Sequence, residues 1–409
     1  MSTTVRTPVR SGTPSPAASS KDRPRDRLAR LAGFARTTQA PYQAALFRIG
    51  FAAVVAAFLL REWPHRRVLY GDRSPLSFDM ALTLLGEDGG FTVLSWWDGQ
   101  VWFETVYGLT IVAAFAVLVG WRTRTMSVLL LIGVLSLENR NTLVGDGGDN
   151  IIRIMVIYLV FTRCAQVWAL DARRARRQGK RPVEERSDRT GVVLWSAAGL
   201  LLLWAFGPQT SWGWPLFFWT LWAVHGLWYA ANHWFPRHEA RALLDDCAAM
   251  VHNCAMLVIA AQVCLIYATA GWYKIQGARW QDGSALHYVL HLDYFTPWPW
   301  LSGLLAANVF VVLVLTYLTV VVQVAFPFTL FNRRVKNALV TVMVAEHLGI
   351  AVLLGIPFLS LVMVVCDVMF LPTALLVRLG PWCAVLARRR KGEPGARAPV
   401  PATGTVSGA

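Results

Sequence analysis

Apolar stretches of roughly 20 residues recur along most of this chain, and that is the length of helix needed to cross a bilayer. A sequence written this way has few folds open to it. The composition agrees. The chain is 55% hydrophobic and only 15% charged, against about 25% charge in a typical soluble domain, and its mean hydropathy is +0.44. It reads as an all-α polytopic integral membrane protein, a helix bundle in lipid with about ten transmembrane helices.

The spans are placed at 43–60, 101–120, 126–138, 150–170, 191–207, 215–235, 250–272, 302–330, 337–356 and 358–378. The stretch 76–98 reads as interfacial. "GPQTSWGWP" breaks the chain after the fifth span, and 236–247 reads as an amphipathic segment or loop. Residues 1–40 form a disordered basic tail without the apolar core of a signal peptide. Residues 41–380 are the transmembrane domain, and 381–409 are a second basic tail.

The net charge of +15 lies mainly in three places. Residues 1–36 carry eight Lys/Arg against two acids, 171–190 eight against four, and 388–409 five against one. Basic tails and loops mark the cytoplasmic side of a membrane protein. The expected location is the plasma membrane, multi-pass, with both termini and the linker 171–190 cytoplasmic. "REWPHRR" after the first span is the exception. The lipid bilayer is the expected partner, anionic headgroups suit these charges, and nucleic acid is excluded. The Arg and Ala bias suggests a bacterial genome. The six cysteines make no CxxC and no Cys/His metal spacing, so they read as small apolar residues, with no disulfide framework and no metal.

Four of the five lysines (Lys21, Lys180, Lys336 and Lys391) fall in tails or cytoplasmic loops. Lys274, in "YATAGWYKIQGARWQDGSALHY", ends an apolar run on the opposite side. An ionisable group at membrane depth is a candidate functional group. Lys274 is either a snorkelling anchor or a desolvated amine able to serve as a base. Trp280, Asp282 and Gly283 suggest a folded turn after it, with Asp282 a candidate cap for a helix starting near Gly283. Asp149 and Arg153 are four apart and share a helix face. Asp149 is either the N-cap of the fourth span, with Arg153 as its partner, or part of a site. Glu346 and His347 are adjacent in the ninth span and point to different sides. His347 suits proton transfer or a hydrogen bond to a quinone oxygen. Arg48 and Asp367 are further candidates, with Arg48 expected to pair with an acid. The "GDGGD" run lacks the spaced ligands of a calcium loop. The Trp residues at 212, 214, 219, 222, 228 and 234 read as interfacial anchors and packing, or as the lining of a site for a flat aromatic ligand.

Three blocks resemble the HTTM family, the transmembrane domain shared with vitamin K-dependent gamma-carboxylase: "NRNTLVGDGGDNIIRIMVIYLVF" (139–161), "AGWYKIQGARWQDG" (270–283) and "EHLGIAVLLGIPFLSLVMVVCDVMFLP" (346–372). The resemblance covers about residues 40–380. It implies that Lys274 is the base that deprotonates a reduced vitamin K or menaquinone, and that His347 matches a histidine of the family's late span. Asp149, Arg153, Trp280, Asp282 and Glu346 take supporting roles. Two departures stand out: Tyr273 replaces the first of two consecutive lysines, and Gly148-Asp149 falls where the carboxylase has a histidine. The carboxylase's large extracytoplasmic domain has no counterpart. The expected function is thus a gamma-carboxylase-like membrane enzyme acting on a membrane quinone, or modifying a peptide or small substrate. The rival expectation is a non-enzymatic transporter, or an accessory factor for maturation or export of a secreted peptide, with a soluble extracytoplasmic partner.

Overall fold

The computed structural model describes residue 30 and residues 32–178, 189–206, 211–235 and 238–378. Residues 1–29 and 31 of the first basic tail, the whole of the second, residues 179–188 of the linker, Lys21, Lys180, Lys391, Cys383 and the 207–210 part of the predicted break lie outside the described residues.

Among the described residues the chain is all-α with no strand. The main helices are α1 (Pro41–Glu62), α2 (Phe78–Asp88), α3 (Gln100–Val119), α4 (Thr123–Arg140), α5 (Gly147–Val160), α6 (Leu170–Gln178), α7 (Arg189–Trp204), α8 (Gly213–Trp234), α9 (Glu239–Gln276), α10 (Pro299–Ala306), α11 (Val309–Thr329), α12 (Arg333–Leu353) and α13 (Pro357–Asp367). By length and composition, five helical segments are able to cross a bilayer: Ala32–Glu62, Gln100–Val119, Glu239–Gln276, Val309–Thr329 and Arg333–Leu353. Arg189–Trp204 and Pro357–Phe370 are apolar but shorter.

The first half is densely packed. Pro41 opens α1 at a position where its missing N–H costs nothing. Phe47, Phe51, Ala44 and Ala52 of α1 are fully buried. Its Gly50 lies so close to Val365 of α13 that a Cβ there would sit 2.6 Å from the valine Cγ2. The Tyr107 hydroxyl of α3 donates to the Leu59 carbonyl at 2.7 Å, tying α3 to the end of α1. Gly120, at φ +71°, lets α3 turn sharply into α4.

The α7–α8 hairpin is closed by a reciprocal clasp. Trp195 and Trp222 stack at 4.1 Å, and each indole N–H donates to the other residue's carbonyl, at 3.0 and 2.9 Å. The glycine four residues after each tryptophan, Gly199 and Gly226, leaves room for the opposing ring.

In three places the helices depart from the sequence reading. The fourth span ends at Val160 rather than 170, and the chain beyond it turns to wrap around Arg48. Residues 239–249 continue α9, a 38-residue helix about 57 Å long at 1.5 Å per residue. This part has no Gly or Pro, and Arg241 pairs with Asp245 one turn on at 2.9 Å. The eighth span is two helices, because the Asn308 side chain accepts from Val311 N–H at 3.2 Å and starts α11 afresh.

On the outer faces of α9 and α11, Leu257, Leu265, Val309, Phe310, Val321 and Phe328 are all more than half exposed. A water-facing helix would carry polar residues there.

Candidate functional site

Lys274 lies three residues from the end of α9. Helical side chains tilt toward their own N-terminus, so its stem runs back along α9. Nζ donates to Oε1 of Gln323 on α11 at 2.8 Å. Gln323 Nε2 in turn donates to Glu346 Oε1 on α12 at 2.7 Å. Lys274 is therefore engaged with the neighbouring helices, not simply extended as an anchor. The partner that holds the lysine is a neutral amide, and the carboxylate stands one link away.

The Ala270-Gly271 step has a packing reason. A Cβ on Gly271 would lie 2.6 Å from Val324 Cγ2, so the glycine lets α9 and α11 approach between Tyr267 and Lys274. After Gln276 the chain reverses through a four-residue helix, Ala278–Gln281. This places the Trp280 ring 5.3 Å from Lys274 Nζ, a distance suited to a cation–π contact. Gly283, at φ +78°, faces Leu313 and Tyr317, and the Tyr317 hydroxyl donates to Gln281 O at 2.8 Å.

Asp282 is exposed and does not touch Lys274. Instead of capping the helix after Gly283, its Oδ1 accepts from Ser284 N–H at 2.9 Å and Ser284 Oγ at 2.5 Å, a local turn. The Ser284 hydroxyl and backbone N–H hold the Asp282 carboxyl below the usual carboxylate range.

A second polar set lies beside the first. Tyr267 precedes Lys274 by seven residues, so both fall on one face of α9. The Tyr267 hydroxyl bonds to both carboxyl oxygens of Asp367, at 3.0 and 3.1 Å, and to His347 Nε2 at 3.1 Å. Tyr267, His347 and Asp367 are 2%, 7% and 0% exposed. Phe326 packs edge-on to Tyr267 at 5.5 Å and to Phe370 at 4.8 Å, closing one side. A phenol has one proton. With Asp367 ionised, Tyr267 donates to it, His347 Nε2–H donates to the phenol oxygen, and Nδ1 is left as an acceptor. Nδ1 is buried and has no partner.

The structure therefore brings together Lys274, Glu346, His347, Asp367 and Trp280 of the sequence candidates, and adds Gln323 and Tyr267. Glu346 and His347 do point to different partners, as their adjacency requires. Two signals marked the missed residues: a glutamine inside the apolar run "YLTVVVQVAF", and a tyrosine at the seven-residue interval from the lysine.

Asp149 and Arg153 are placed elsewhere. Asp146, rather than Asp149, is the N-cap of α5. Its Oδ1 accepts from Gly148 and Asp149 N–H at 2.6 and 3.1 Å, while Asp149 Oδ2 accepts from Asp146 N–H at 2.8 Å. This is a reciprocal capping box. Arg153 pairs with Glu138 at 3.8 Å and not with Asp149. Together with Tyr70 and Asn141 they line a cleft of about 120 Å³ to which Lys274, Gln323, Glu346 and His347 do not contribute.

Among the described residues Arg48 pairs with no acid. It is fully buried and donates to the carbonyls of Val117, Leu118, Cys164 and Trp168 at 2.5, 2.8, 3.2 and 2.8 Å. The first two are carbonyls at the C-terminal end of α3, where a cation is also favoured by the helix dipole; Val117 O accepts from Gly120 N–H as well, at 3.1 Å.

No protein-family model, curated protein or solved structure matches this chain.

Proposed function

We propose that the protein is a plasma-membrane enzyme of about ten spans with both termini cytoplasmic, and that it carries a gamma-carboxylase-like base, Lys274, acting on a reduced naphthoquinone. The observation that carries this reading is the relay from Lys274 through Gln323 to Glu346. An amine held by a neutral amide keeps its lone pair accessible in a way that an amine locked to a carboxylate does not. The candidate ligand is flat, apolar and phenol-like. The Trp280 ring face, the unused bonding positions of Lys274 and the unpartnered Nδ1 of His347 are groups that suit such a ligand.

When bound, the hydroquinone supplies the reducing electrons. Lys274 Nζ takes the hydroxyl proton and becomes an ammonium. Gln323 Oε1 accepts a hydrogen bond from that ammonium, and the Glu346 carboxylate behind the amide favours the positive charge. With Asp367 ionised, Tyr267 and Asp367 hold His347 in the tautomer that presents Nδ1 as an acceptor. Trp280 covers the amine from water, which strengthens each of these interactions.

The buried chain of Asp367, Tyr267 and His347 also suits proton-coupled transport, and one experiment separates the two readings. Protein in lipid nanodiscs is given reduced menaquinone, oxygen and bicarbonate, and hydroquinone oxidation is followed by absorbance. The enzyme reading expects turnover by the wild type and loss of turnover in Lys274→Arg, since arginine does not give up its proton. A wild-type protein that leaves the hydroquinone untouched, while passing protons in liposomes, would overturn the enzyme reading in favour of transport. The topology has its own test. Cysteines introduced at positions 180 and 285 of a Cys-free protein should label from opposite faces.

A further inference from the structure

A cavity of about 380 Å³ opens between the start of α4, the chain after α5 and helix α6. It takes no part in the Lys274 site. Its lining includes Arg124, Arg163 and Arg176 with Ser127, Thr162 and Asp171. The balance of charge inside it depends on which acids are already engaged.

Asp171 is committed to the start of α4. It accepts from the backbone N–H groups of Arg122 and Thr123 at 2.9 and 2.7 Å, and from Thr123 Oγ1 at 2.9 Å. These bonds cap the start of α4. Asp245, the nearest acid on α9, is held by Arg163 at 3.1 Å and by Arg241 at 2.9 Å. Arg163 thus brings its own counter-charge.

Arg124 and Arg176 are not paired directly in this way. Neither makes a hydrogen bond or an ion pair through its guanidinium to any described residue. The Arg124 guanidinium lies 4.2 Å from the centre of the Trp228 ring, which fixes its plane while leaving its N–H groups unused. Asp171 and Asp245 supply counter-charge to Arg124 at longer range, but neither takes up its N–H groups. Two guanidinium groups with donors unused among the described residues, with hydroxyls beside them, form a donor set that binds phosphate oxygens in pairs.

We propose that this cavity binds a phosphate group, and that the headgroup of an anionic phospholipid delivers it. The lipid source follows from position. The cavity lies at the end of the bundle where "WRTRT" and the basic linker converge, and Trp228 beside it is a residue type that favours the membrane interface. The assignment is independent of the Lys274 reading.

The test uses the full chain in neutral detergent, titrated with dioctanoyl phosphatidylglycerol, dioctanoyl phosphatidylcholine or inorganic phosphate, with binding read by native mass spectrometry. Wild type should bind the glycerol lipid more tightly than the choline lipid. Arg124→Gln/Arg176→Gln should weaken that binding by roughly tenfold or more, as expected for two lost charge-assisted contacts. Arg176→Gln alone should show a smaller loss with an unchanged melting temperature in the absence of lipid, which separates binding from folding. Arg173→Gln, on the same helix but outside the cavity lining, should bind as wild type does. If inorganic phosphate binds with the same loss in the double variant and the lipid does not bind, the phosphate site stands with a free anion as its source. A double variant that binds the glycerol lipid as tightly as wild type would overturn the proposal. So would an equal loss in Arg173→Gln, which would indicate diffuse surface charge.

Discussion

Arg48 and Lys274 are both long cationic side chains carried into apolar helices, and the protein treats them in opposite ways. Arg48 is sealed in the first half, and four backbone carbonyls take up its fork of donors. Four of its five N–H donors are used within the protein. Lys274 has one neutral hydrogen-bond partner and an indole over it, and a buried His347 nitrogen nearby has none. A buried charge therefore does not by itself mark a site. What separates structure from candidate chemistry is whether bonding capacity is left over once the fold has taken its share.

The comparison breaks most easily at Arg48. Arg48→Met should leave up to three buried carbonyls unpaired, since Val117 O keeps its bond from Gly120 N–H, at about 1–3 kcal/mol for each one that finds no other partner. The expected outcome is little folded protein, measured as the monodisperse fraction after solubilisation. Arg48→Lys should rescue only part of it, because one ammonium cannot reproduce the planar fork. A fully folded Arg48→Met protein would mean that the carbonyls are satisfied by water, and Arg48 would lose its structural role.

At Lys274 the expected pattern is reversed. Lys274→Arg should fold and insert normally while hydroquinone oxidation falls by about 10²–10⁴-fold, the usual contribution of a general base. Tyr267→Phe sharpens the account of His347. It leaves the buried Asp367 carboxylate without its donor, at roughly 1–3 kcal/mol, and it frees the imidazole to change tautomer. Both the melting temperature and the turnover number should drop. A loss of stability with unchanged turnover would remove His347 from the site.

Smaller effects test the residues placed outside the site. Asp146→Ala removes the α5 cap, at about 1 kcal/mol, whereas Asp149→Asn should be tolerated in both stability and activity, because its amide oxygen can still accept from Asp146 N–H. An inactive, well-folded Asp149→Asn protein would return Asp149 to the site. Ser284→Ala should have the smallest effect. The Asp282 carboxyl is held below its ordinary range in the folded protein, so its contribution to stability is present above the unfolded-state value and is lost as pH falls through the folded one. The melting difference between Ser284→Ala and wild type should therefore exist at pH 7 and vanish in acid.

Much of the architecture was legible because apolar length and breaks are local signals. The α1, α3 and α12 positions follow directly from them. The junction at Asn308 was missed because one polar residue in an apolar stretch does not announce a new helix start. The segment 236–247 was read as amphipathic or a loop, and its charges hid that i,i+4 pairing makes residues 239–247 the start of α9. The site was half legible. Lys274 and His347 stand out as ionisable groups in apolar sequence, but Gln323 is uncharged, and Tyr267 reads as packing until its partners on α12 and α13 are known. Arg48 was misread for a related reason: backbone carbonyls have no letter in the sequence, so an arginine that binds them looks like one in search of an acid.

The claim that Lys274 is a base, and not an anchor, is tested most directly by chemical rescue. Lys274→Ala protein in nanodiscs is assayed for hydroquinone oxidation with and without added ethylamine, over a range of pH. The account predicts an inactive protein whose turnover returns with the amine and rises with pH as the free-base fraction grows. Wild-type turnover by Lys274→Ala without any amine would contradict it, and would leave Lys274 as a residue that only joins α9 to α11.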